Sequence, residues 1–127
     1  MMLERFAPYG LSVLRIVTGL VFFLHGPQKL FGYPPSPRPA PELFSMLGAA
    51  ATLETIGGAL LVVGLFTRPV AFVMSGLMAS AYFIAHAPRS FWPTSNGGDA
   101  AVLFCFLFLY LVLAGPGPWS LDARKRG

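Results

Sequence analysis

Residues 44–66, FSMLGAAATLETIGGALLVVGLF, and residues 70–87, VAFVMSGLMASAYFIAHA, decide the fold, with only Thr67-Arg68-Pro69 between them. A helix needs about 20 mostly apolar residues to cross a hydrocarbon core of about 30 Å, and each run supplies nearly that. A join this short forces the two helices into an antiparallel hairpin. Working outward, Tyr9–Phe31 and Asp99–Ala114 are further apolar runs. The expectation is an all-α membrane protein: four transmembrane helices, at about 9–31, 44–66, 70–87 and 99–114, in an antiparallel bundle that forms a single domain over residues 1–127. The last two are short, so Trp92 and Trp119 are expected to anchor their ends at the interface. Small residues such as Gly76 and Ser80 offer a face for close helix contact.

Composition agrees. Hydrophobic residues make up 55% of the chain and charged ones 11%, against roughly 25% charged in soluble domains. A small soluble fold must cover a large surface with polar groups, and this chain has too few. Mean hydropathy is +0.66. The net charge of +4 does not point to nucleic acid, because the basic residues are scattered except at Arg124-Lys125-Arg126. Such a tail suits membrane lipid headgroups and helps fix topology. The single cysteine, Cys105, excludes an intrachain disulfide and a two-cysteine redox centre; it is expected to pack inertly in an apolar run.

The connectors are equally plain. Tyr33–Pro41 holds Pro34, Pro35, Pro37, Pro39 and Pro41, a strap that forms neither helix nor strand. Asn96-Gly97-Gly98 is a turn into the last helix, and Gly115-Pro116-Gly117-Pro118 stops it. The first segment reads as retained rather than cleaved, since Arg15 interrupts it and no small-residue cleavage site follows Leu24. Four crossings put both termini on one side, with Arg5, Arg68, Arg124, Lys125 and Arg126. Lys29, Arg38 and Arg89 fall on the other. The positive-inside rule then places both termini in the cytoplasm and the chain in the plasma (inner) membrane as a multi-pass protein.

Ionisable groups at membrane depth are costly and turn inward toward partners. Counting about 1.5 Å per residue from the predicted helix ends brings Arg15 and Glu54 to within about 6 Å of the same depth, so an Arg15–Glu54 ion pair is expected. Helix periodicity puts Arg15, Gly19, Phe22, Gly26 and Lys29 on one face of the first segment. Ser75, Tyr82 and His86 share a face of the third, and Asp99, Phe106 and Tyr110 share one of the fourth. His25, Lys29, Glu54, His86 and Asp99 all fall in the outer half, which reads as a polar pocket open to the outside. Arg15, His25, Lys29, Glu54, Tyr82, His86 and Asp99 are therefore the candidates for binding a ligand or relaying protons. Each also has a plainer role: a fixed bridge for Arg15 and Glu54, a snorkelling Lys29, a headgroup-level His86, an Asp99 that complements a helix N-terminus. No metal site is assigned, and the unequal depths of His25 and His86 argue against haem.

The chain resembles the DoxX family of small four-helix membrane proteins. The matching residues are Arg15 with Gly19, then His25-Gly26-x-x-Lys29-Leu30; Glu54-x-x-Gly57-Gly58; Gly64-Leu65-x-Thr67-Arg68; His86; Asn96-Gly97-Gly98-Asp99, where the family usually has glutamate last; and Gly115-Pro116-Gly117-x-x-Ser120-Leu121-Asp122. The resemblance implies a membrane subunit of an oxidoreductase system. Without a cysteine pair or a nucleotide-binding glycine motif, such a subunit would draw on a quinone or another borrowed cofactor. Other redox proteins or a second copy of the chain are the partner classes. A small-solute or lipid transport module and a non-catalytic assembly partner are the other readings.

Overall fold

The computed structural model describes residues 2–31, 46–96 and 98–126, with the side chains at 28–31, 46, 47, 85, 96, 125 and 126 excepted. The Tyr33–Pro41 strap and the side chain of Lys29 lie outside the described residues. A 3-10 turn at Met2–Phe6 leads into α1 (Ala7–Phe31). Then come α2 (Met46–Val63), α3 (Thr67–Ala81), a π-helical turn (Tyr82–His86), the short α4 (Pro93–Asn96), α5 (Asp99–Ala114) and α6 (Leu121–Arg126). All regular structure among the described residues is helical.

The hairpin between α2 and α3 turns earlier than the sequence suggests. Gly64 takes φ +73°, and the Leu65 N–H reaches back to the Leu60 carbonyl at 3.0 Å while the Gly64 N–H is shared between the carbonyls of Leu61 at 3.2 Å and Leu60 at 2.8 Å. This is a Schellman stop, which glycine makes without steric penalty. Thr67-Arg68-Pro69, read as the loop, is instead the first turn of α3. Pro69 fits there because first-turn N–H groups have no intrahelical partner.

Packing follows two close pairs, α1 with α2 and α3 with α5. On α1, Ser12, Arg15, Thr18, Gly19, Phe22 and Gly26 are buried, so the face expected from periodicity is the packed one. Glycine sets the α1–α2 distance: a Cβ on Gly58 would lie 2.6 Å from the Phe23 nitrogen, and one on Gly19 would lie 2.9 Å from Leu61 Cβ. Gly76 and Ser80, expected to make such a contact, are exposed. Phe22 joins the pairs, its ring edge-on to Phe104 at 5.5 Å and Phe108 at 5.0 Å. Leu61, Met74, Met78 and Leu111 complete the core.

Large apolar side chains also cover the outside, among them Leu103, Phe106 and Leu113 of α5, the last 75% exposed. Patches this extensive need a nonaqueous neighbour. The stretch Met2–Pro27 is long and apolar enough to cross a membrane, with mean hydropathy 1.7; Gly48–Val63 and Asp99–Ala114 are shorter apolar helices.

Candidate functional site

Polar groups gather at the two ends of the bundle. At the end carrying the N-terminus and the α2–α3 turn, Arg15 is fully buried. Its Nε donates to the Leu61 carbonyl at 2.8 Å, and Nη2 to those of Trp119 at 2.7 Å and Val62 at 3.4 Å. Nη1 donates to the Pro116 carbonyl. The expected Arg15–Glu54 ion pair therefore does not form. The α1–α2 register sets Arg15 beside the last turn of α2, seven residues from Glu54, and a cation is favourable at that C-terminus. The carbonyls there lack helical partners, and guanidinium's fork of donors can serve several at once.

Two further residues repeat this logic. Arg68 Nη1 donates to Val112 and Leu113 carbonyls, at 2.7 and 2.8 Å, in the last turn of α5. Asp122 caps α3 from across the chain: its Oδ1 accepts from the Phe66 N–H at 2.9 Å and its Oδ2 from the Thr67 N–H at 2.8 Å. The residue before α3 is Phe66, in the left-handed region at φ 52° and unable to cap. The tail is tied down in turn. Ser12 Oγ accepts from the Trp119 N–H at 3.1 Å, the Asp122 N–H reaches the Gly64 carbonyl at 2.9 Å, and Ser120 Oγ accepts from the Ala123 N–H at 3.1 Å to begin α6. Where lipid excludes water, every such backbone group must find an internal partner.

Sequence reasoning missed Ser12, Arg68, Ser120 and Asp122. For Asp122 a signal appears once α3 is started at Thr67: Phe66 before it cannot cap, which requires a cap from elsewhere. The motif fragments around Arg15, Gly64–Arg68 and Gly115–Asp122 thus meet as one lock.

The remaining candidates lie between the middle of the bundle and its opposite end. Glu54 is 3% exposed on α2. Gly57, one turn toward the lock, packs on Met74, so Glu54 lies near the level of Met78, one turn before Tyr82. Tyr82 and His86, both half-buried, hold their rings 6.4 Å apart. Gly98 lets them lie against the start of α5, since a Cβ there would come within 2.8 Å of both side chains. The intervening backbone is a π turn, closed by the Ala87 N–H on the Tyr82 carbonyl at 2.8 Å; such turns often occur at functional sites. The Tyr82 hydroxyl donates to the Phe91 carbonyl at 3.3 Å.

His25 and Asp99 do not join this group. His25 is exposed, with Nδ1 2.8 Å from its own helix's Val21 carbonyl. Asp99 is exposed and its Oδ1 accepts from the Ala100 N–H at 3.1 Å. The expected Asp99–Phe106–Tyr110 face points outward, because α5 packs through Ala101, Phe108 and Leu111. Cys105 is half-buried, and its carbonyl and Sγ both meet Ser75 Oγ, at 2.8 and 3.4 Å.

A helical bundle with an apolar exterior, whose buried polar groups face its interior, defines a small helical membrane protein. The family model of DoxX matches residues 10–87, and the chain belongs to that family. A Haemophilus influenzae protein named only as uncharacterized is 42% identical, with 96% of this chain and 95% of that one covered. The Escherichia coli "Inner membrane protein YphA" is 29% identical over 92% of this chain and 91% of its own. The Bacillus subtilis "Putative oxidoreductase CatD" is 27% identical, at 89% and 84%. No solved structure matches the chain.

Proposed function

We propose that this chain is a multi-pass membrane subunit of an oxidoreductase system that holds a quinone or similar amphiphile at the end of the bundle opposite the lock. In this reading α1, α2, α3 and α5 cross the bilayer and both termini are cytoplasmic. The observation that carries it is Glu54, a carboxylate 3% exposed in the middle of an apolar helix and apart from the carbonyl cage that holds Arg15. Intramembrane ionisable groups that do not merely cap a helix mark proton or ligand paths. Reducing a quinone to a quinol takes two electrons and two protons. Glu54 and His86 are groups that can pass protons, and the Tyr82 ring offers a flat surface for the head. With one cysteine in the chain, the electrons come from a partner protein. The name of the Bacillus subtilis relative points the same way.

The test is purification in mild detergent followed by mass spectrometry of the extracted small molecules. The proposal expects a quinone at near-stoichiometric amount in the wild type and a severalfold loss in Glu54→Gln. Protein that carries no quinone and does not bind an added short-tailed one would overturn it.

A further inference from the structure

Beside the lock, the last turn of α2 and the C-terminal segment enclose a groove of about 410 Å³. It is lined by Val62 and Val63 of α2 and by Pro118, Trp119, Ser120, Leu121 and Arg124 of the C-terminal segment. We propose that this groove holds one anionic phospholipid, with its phosphate on Arg124 and an acyl chain along Val62 and Val63. The inference is independent of the quinone reading.

Three observations support this occupant. The first is depth. Trp119, 56% exposed, lies tilted against Tyr9 with ring centroids 5.2 Å apart, and such amphipathic rings sit at headgroup level. Second, the charge is complementary to an anion. Arg124 opens the run Arg124-Lys125-Arg126, while the nearby carboxylate, Asp122, is turned onto the Phe66 and Thr67 N–H groups. Arg68 and Arg15, two further cations of this end, are occupied by backbone carbonyls. Third, the groove is built rather than incidental. Both polar groups of the Trp119 backbone are fixed, its carbonyl by Arg15 and its N–H by Ser12. A soluble anion would gain nothing from the valine wall, whereas a lipid uses both the wall and the cation.

The test is native mass spectrometry of the detergent-solubilised protein with phosphatidylglycerol and phosphatidylcholine of identical acyl chains. The wild type should retain one phosphatidylglycerol with roughly fivefold preference. Arg124→Gln should bring the two lipids close to parity. Val63→Trp, which fills the groove, should lower retention of both. If the added bulk disturbs the helix end, Val63→Ser removes the apolar wall and gives the same reading. Arg5→Gln, away from the groove, should change nothing. Equal retention of the two lipids by the wild type would overturn the proposal. So would a preference that Arg5→Gln lowers as much as Arg124→Gln, since the attraction would then be diffuse surface charge.

Discussion

The same substitution at two glycines should have opposite effects, and the difference follows from what each Cβ would meet. At Gly58 an added Cβ would lie 2.6 Å from the Phe23 nitrogen, 2.7 Å from Phe23 Cα and 2.8 Å from the Gly19 carbonyl oxygen. These are backbone atoms of α1 and have no rotamer to change. Restoring ordinary contact means parting the helices by roughly 0.8 Å, and a gap of that order forfeits a quarter to a half of the dispersion attraction along the seam. Overpacking of this kind costs about 1–3 kcal/mol. At Gly76 a Cβ meets nothing within 4 Å, so alanine brings only its better helix propensity, about 0.8–1 kcal/mol. Gly58→Ala should lower the unfolding midpoint in detergent, followed by circular dichroism, and Gly76→Ala should leave it unchanged or raise it. If both variants shift it alike, glycine is not what sets the α1–α2 distance.

Asp122→Ala should lose about 2 kcal/mol or somewhat less by removing the cap of α3, at the upper end of the cap range because two N–H groups lose their acceptor; Asp122→Asn should lose less, as it keeps one acceptor. Chemical denaturation in micelles separates the two, and equal losses would mean that Asp122 acts through charge alone. Arg15→Leu and Glu54→Gln should be additive within about 0.5 kcal/mol, as residues that share no contact usually are; a coupling well above that would bring back the ion pair that the structure rules out.

Much of the architecture is legible in the sequence because lipid makes helix signals long and uniform. The buried face of α1 follows from a 100° period alone, and the Gly-Pro runs stop helices for reasons local to themselves. The pairing of Arg15 was not legible. It depends on the register between α1 and α2, which counting from apolar boundaries misjudges: α2 stops at Val63 where the apolar run continues to Phe66. It also depends on carbonyls of Pro116 and Trp119, a hundred residues away, which no charge pattern reveals. The α3 cap has the same character, since Asp122 and Phe66 are brought together only by the folded tail. At the other end the candidates were found by residue type. Whether they face inward was not legible for His25 and Asp99, since a polar residue near a helix end can turn either way. The π turn that sets Tyr82 beside His86 leaves no mark in the periodicity.

Arg15 and the C-terminal segment form one structural unit that closes the bundle end. The direct measurement is a double-mutant cycle between Arg15→Leu and a chain ending at Gly115, with unfolding followed in the same detergent. Truncation removes the Pro116 and Trp119 carbonyls that Arg15 holds, together with the Asp122 cap. Each change alone should destabilise strongly, and once the tail is gone Arg15→Leu should cost less than in the full chain by at least about 1 kcal/mol. Equal cost of Arg15→Leu in the two backgrounds would mean that Arg15 and the tail are not one unit.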